Sequence, residues 1–139
     1  MRVALETNRL TDLLRGDAEL ADLLGTCEEV WVPLFVLAEI KAGFCGGSQR
    51  HRNEMILQKF LAKKTVGVLL PGRETAEQWA RLFVQLKRSG TPVPHADLWI
   101  GALALEHDLA LITRDRRFEK IPQLLRLSGR PMPHGRMLA

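Results

Sequence analysis

Short apolar runs recur along the chain, separated by longer segments in which apolar residues return every three or four positions. The runs are Val3-Ala4-Leu5, Val30-Trp31-Val32, Val66-Gly67-Val68-Leu69-Leu70 and Leu109-Ala110-Leu111-Ile112. They lack the alternation of a half-exposed sheet and therefore predict strands covered on both faces, as parallel strands are. The intervening stripes predict amphipathic helices: Leu10, Leu13 and Leu14; Leu37, Ile40 and Phe44; Ile56, Phe60 and Leu61; Trp79, Leu82, Phe83 and Leu86; Trp99, Ala102 and Leu103. Trp31, Trp79 and Trp99 fall on these strands and stripes, which predicts packing rather than base stacking.

Turn residues divide the chain at the same places. Gly25 closes one helix, Pro71-Gly72 separates a strand from the next helix, and Gly90-Thr91-Pro92-Val93-Pro94 stops a helix over residues 74–87. The stretch from Gly43 to Ser48 predicts a turn between two helices. Strand and helix in alternation specify a three-layer α/β/α sandwich with a central, mainly parallel sheet and right-handed crossovers. Ligands of such folds collect outside the carboxyl ends of the strands. One domain over residues 1–127 is expected, followed at 128–139 by a loose tail containing Pro131, Pro133 and two glycines.

With 139 residues, 46% hydrophobic and 26% charged, the chain can bury one core. No run reaches the roughly 18 apolar residues of a membrane span, and Glu6 interrupts any signal-peptide core. A soluble cytoplasmic protein is expected, with Cys27 and Cys45 as reduced thiols. Charge is uneven: residues 1–110 hold 13 basic and 14 acidic side chains, residues 111–139 seven basic and two acidic. The basic end suits a phosphate backbone or an ordinary solvated surface, and basicity alone does not choose between them.

Four acids are placed differently from those on solvated helix faces. Glu6 follows the first strand and Asp115 follows the strand ending in Ile112-Thr113. Asp97 opens a helix just before the apolar run from Leu98, and Glu39 lies inside the apolar segment from Pro33 to Ile40, where a charge is costly unless compensated. Singly, Glu6, Asp97 and Asp115 also suit helix starts and turns. With parallel strands, all four carboxylates come to one edge of the sheet, where mutual repulsion calls for a cation. Oxygen ligands suit Mg²⁺ or Mn²⁺, and such ions support phosphodiester hydrolysis. The histidines are too far apart for a zinc helix, and the glycines near Gly43 follow a helix rather than a strand, so no dinucleotide loop is predicted.

Four segments, in order, resemble the motifs of PIN-domain proteins, and most of all the VapC-type toxins of bacterial toxin-antitoxin pairs. They are Val3-Ala4-Leu5-Glu6-Thr7-Asn8, Pro33 through Gly43, Asp97-Leu98-Trp99-Ile100-Gly101-Ala102, and Leu111 through Phe118. The resemblance implies a metal-dependent endoribonuclease, homodimeric, acting on structured tRNA or rRNA and restrained by a cognate antitoxin. It implies that Glu39, Asp97 and Asp115 match the second, third and fourth acids of the family quartet, supported by Thr7, Asn8 and Thr113. The first acid of the family is aspartate, whereas this chain has Glu6. The additional methylene displaces the carboxylate, and Mg²⁺ is strict about its octahedral geometry. Two readings follow: a nuclease with Mg²⁺ or Mn²⁺ on Glu6, Glu39, Asp97 and Asp115, or an impaired PIN-like module that holds RNA or antitoxin without cutting. Arg114, Arg116 and Arg117 are the expected RNA contacts, then Arg9 and Lys41, with His95 at the cleft mouth.

Overall fold

A computed structural model describes residues 1–130. The chain runs β1 (Arg2–Leu5), α1 (Thr7–Leu14), α2 (Ala18–Gly25), β2 (Glu29–Pro33), α3 (Leu34–Cys45), α4 (Arg50–Leu61), β3 (Val66–Leu69), α5 (Arg73–Arg88), α6 (His95–Glu106) and β4 (Ala110–Ile112). A 3-10 turn over Arg116–Lys120 and a short strand, β5 (Arg126–Leu127), follow. The five strands form one sheet in the order β3-β2-β1-β4-β5, and every pairing is parallel. The expected α/β/α sandwich is the observed fold.

Val3, Ala4 and Leu5 are all inaccessible to solvent. Successive strand residues point to opposite faces, so β1 is covered above and below. Helix α6 is apolar almost all round, with Leu98, Ile100, Ala102, Leu103 and Ala104 buried, as befits a helix packed on several sides. A stack of rings, Phe35–Trp99–Trp79–Phe83, ties α3, α6 and α5 together with centroid separations of 5.5, 5.5 and 5.1 Å. Trp31 instead covers Gly67 on β3, where a Cβ would lie 2.7 Å from its ring. The three tryptophans are packing residues, each half-buried.

Several boundaries differ from the sequence reading. Gly43, Phe44 and Cys45 continue α3, so the turn starts only at Gly46. Strand β3 stops at Leu69, and Leu70 is exposed. Strand β5 has two residues, too few to show a pattern. The expected loose tail at 128–139 lies, from residue 131 on, outside the described residues. Gly129 is buried with φ +82°, and its carbonyl lies 3.5 Å from Arg9 Nη2. Among the described residues, no helix is long and apolar enough to cross a membrane.

Candidate active site

From β1 the chain builds outward through β2 to β3, then returns to place β4 and β5 on the other side of β1. The sheet order reverses between β1 and β4, and that is where parallel α/β sheets leave a crevice. Leu5 is paired with Ile112, and the Glu6 amide donates to the Ile112 carbonyl at 3.0 Å. The next residue on each strand, Glu6 and Thr113, therefore stand side by side at the carboxyl edge.

Hydrogen bonds fix the surrounding groups. Glu6 is the N-cap of α1: its Oε2 accepts from the Asn8 amide at 3.0 Å. The carboxylate can cap because its oxygen reaches the second amide of the helix. Thr113 Oγ1 lies 3.4 Å from the same Glu6 oxygen and accepts from the Asp115 amide at 3.0 Å. Thr7 Oγ1 donates to Glu39 Oε1 at 3.0 Å. Asp115 caps the 3-10 turn by accepting from the Arg117 amide at 2.9 Å, and the fully buried Phe118 anchors that turn. Arg117 is thus delivered between two acids: its Nη2 is 2.6 Å from Asp115 Oδ2 and its Nε 3.4 Å from Asp97 Oδ2.

Burial dominates the electrostatics. Glu6, only 4% exposed, is pushed up to about 7, mainly by burial. The Asn8 hydrogen bond opposes that rise, and repulsion from Asp115, Asp97 and Glu39 adds to it. Asp97 is also raised, first by burial, then countered by Arg117, with smaller repulsion from Asp115 and Glu39. Asp115 goes the other way because the Arg117 guanidinium hydrogen-bonds to it. The four acids expected at this edge therefore lie in one another's field. Glu39 differs in environment: it is exposed, so the predicted cost of burying its charge does not arise. Val36 and Ile40 are buried and Glu39 faces outward, because one helical segment presents both sides.

The donor set is one test of a metal. Among the described residues, no three carboxylate, imidazole or thiol groups form a ready-made cage. Mg²⁺ does not need one, since it keeps several waters and binds proteins through one or two carboxylates. Asp97 and Asp115 suit that mode, and Asp97 Oδ2 is buried with no hydrogen-bond partner among the described residues. A buried carboxylate oxygen that takes no hydrogen bond and faces Arg117 Nε at 3.4 Å, beside a second acid, fits a hydrated divalent ion, with Arg117 holding the charge balance in its absence.

The expected RNA contacts separate into distinct environments. Arg114 is bound to Asp12, with Nε to Oδ2 at 2.9 Å. The Arg116 side chain is 91% exposed, with Glu119 as its nearest acid at 3.8 Å. Arg117 belongs to the acid pair. Arg9 is not a surface contact: it is 3% exposed and pairs with Asp12 at 2.8 Å and Asp17 at 3.3 Å. Lys41 pairs with Glu54. His95 is exposed and meets Trp79 and Phe83 edge-on. Sequence reasoning missed Asp12, which joins Arg9 to Arg114; its three-residue spacing from Arg9 on α1 was the available signal.

A parallel α/β domain with carboxylates gathered at its switch point is the class this geometry defines. The PIN domain profile matches residues 3–124, and the chain belongs to that family. It is 30% identical over 91 residues to Ribonuclease VapC5 of Mycobacterium tuberculosis, across 66% of this chain and 67% of that protein. Its fold superposes on DNA-bound VapBC from Salmonella typhimurium with a TM-score of 0.83 at 22% identity, covering 91% of this chain and 97% of that one. The VapBC-5 toxin-antitoxin structure from Mycobacterium tuberculosis gives a TM-score of 0.71 at 25% identity, with coverage of 91% and 97%.

Proposed function

We propose that this chain is an Mg²⁺- or Mn²⁺-dependent endoribonuclease of the VapC toxin type, cutting structured tRNA or rRNA in the cytoplasm as a homodimer and held in check by a cognate antitoxin. The observation that carries the nuclease reading is the meeting of Glu6, Asp97 and Asp115 from three separate segments at the β1/β4 edge, with Glu39 within their field. Relatives named as ribonucleases and as toxin-antitoxin complexes support the substrate class and the partner.

In this reading Asp97 and Asp115 hold the ion, with Glu6 and Glu39 completing its surroundings. A divalent ion so held supplies an activated water and offsets charge on the leaving oxygen. Glu6 Oε2 is already engaged by Asn8 and Thr113, which leaves Oε1 to take the proton of the attacking water. Thr113 fixes the spacing of Glu6 and Asp115, and Thr7 fixes Glu39. Arg117, half-exposed, turns its fork to the scissile phosphate, and Arg114 and Arg116 line the approach.

Cleavage of a structured RNA with Mg²⁺ and with Mn²⁺ tests the proposal. Wild type and Glu6→Asp are expected to cut, and Asp97→Asn to lose about a hundredfold or more. Absence of cleavage by both wild type and Glu6→Asp under either metal would overturn it. The second reading, RNA or antitoxin binding without turnover, is favoured by Glu6 and by the guanidinium lodged between Asp97 and Asp115. Tight RNA binding with no cutting in either protein would establish that reading instead. Copurification with a small protein encoded by an adjacent gene tests the antitoxin.

A further inference from the structure

Two recesses flank the acid cluster, and each takes in one of its acids and the threonine bonded to that acid. One is bounded by Thr113 and Asp115 together with Arg114 and Arg116, the basic approach described above. The other opens between α1, α3 and α4, holds about 210 Å³, and takes Thr7 and Glu39 as part of its wall. The rest of that wall includes Thr11, Arg15, Gly43, Phe44 and Asn53.

We propose that this second recess is a nucleobase subsite, receiving one unstacked base of single-stranded RNA beside the bond cut at the acid cluster. The inference rests on the nuclease reading for its position and on the recess itself for its chemistry. The volume is below the roughly 300–1,000 Å³ of sites that enclose whole small molecules, and suits one flat ring. Proteins read unstacked bases by stacking an aromatic ring on them and hydrogen-bonding their edges. Phe44, half-buried, supplies the ring, and the Thr11 hydroxyl and Asn53 amide supply donors and acceptors.

Charge assigns the phosphates. Lys41 is matched by Glu54, but Arg15 and Arg50 have no acid partner among the described residues. Arg50 lies three positions before Asn53 on α4 and therefore on the same helical face. A base is neutral and can lie next to Glu39, while the backbone phosphates on either side of it meet Arg15 and Arg50. The cleft then reads one nucleotide and cuts next to it.

Gly43 makes the test clean. It lies within α3, and a Cβ built there meets nothing within 4 Å. Gly43→Ala therefore adds a methyl to open space, and Gly43→Leu places a larger side chain in the recess. Both replacements raise helix propensity and are expected to fold. Binding of fluorescently labelled hexamers of A, C, G and U is measured by anisotropy in EDTA, so that cleavage plays no part. Wild type and Gly43→Ala are expected to prefer one base, whereas Gly43→Leu binds that hexamer about tenfold or more weakly and loses the preference, as when one stacked base is forfeited. Asn53→Ala flattens the preference, and Arg15→Gln weakens all four hexamers alike. The proposal is overturned if Gly43→Leu, folded by circular dichroism, binds like wild type. It is equally overturned if wild type shows no base preference, or if Gly43→Leu loses only antitoxin binding, which makes the recess a peptide seat. Hydrolysis of bis(p-nitrophenyl) phosphate, which has no base, separates the two claims: its absence in wild type counts against the nuclease reading alone.

Discussion

Glu6 joins three demands in one side chain: it follows β1, caps α1 and is the most buried acid of the site. Its folded pKa of about 7 stands above the ordinary 4.5, so between those values the folded chain binds more protons than the unfolded one. Stability therefore falls as pH rises through that window, and the loss is complete above about pH 7. At 1.36 kcal/mol per pKa unit the cost is at most about 3 kcal/mol. Glu6→Gln keeps an acceptor for the Asn8 amide and removes the charge. Urea unfolding without divalent ions should show it about 1–3 kcal/mol more stable than wild type at pH 8, converging with it near pH 4.5. Arg9 behaves in the opposite way. Arg9→Met removes a buried guanidinium from Asp12 and Asp17, which stay partly solvated, with Asp12 still held by Arg114, and should lower stability by only about 1 kcal/mol in the same assay. Glu6, Asp97 and Asp115 were readable from sequence because each adjoins a strand end or opens a helix. Arg9 was not, because its buried position depends on α2 and on Gly129, far away in the chain.

At the scale of elements, the strands showed themselves because burial on both sides removes polar alternation. Four of the five were found this way. The fifth, β5, contains an exposed arginine and only two residues, and exists by pairing with Leu111 and Ile112. Helix α3 misled for a related reason: a mostly apolar helix hides which side faces out, and Glu39 was placed inside. Close packing between elements makes a contrast that can be measured. At Gly67 an added methyl meets the Trp31 ring at 2.7 Å, and the ring is held by its Nε1 bond to Glu29. At Gly101 the neighbour at 2.9 Å is only the tip of Ile121. Thermal unfolding should find Gly67→Ala destabilised by about 1–3 kcal/mol. Gly101→Ala should cost less, because the isoleucine tip can turn away and alanine favours the helix.

At the scale of the molecule, excess negative charge at one edge is balanced in part by Arg117. An added divalent ion that binds only the folded chain stabilises it by about 2.7 kcal/mol at a hundredfold excess over its dissociation constant. Differential scanning fluorimetry at pH 8 should show Mg²⁺ or Mn²⁺ raising the melting temperature of wild type, and much less that of Asp97→Asn. The shift should shrink towards pH 5, where Glu6 is protonated and its share of the repulsion is gone. The fold class and the gathering of acids were readable because parallel strands must end at a common edge. The distribution of the arginines among those acids was not, because it depends on how the 3-10 turn is seated by Phe118.

The sheet order also sets a timetable. Glu6 directly follows β1, and Asp115 lies in a segment made more than a hundred residues later, so β4 must slide in beside β1 before the two meet. A nascent chain therefore emerges with its acid cluster unassembled, and the carboxylates gather at the sheet edge only when the late strand docks.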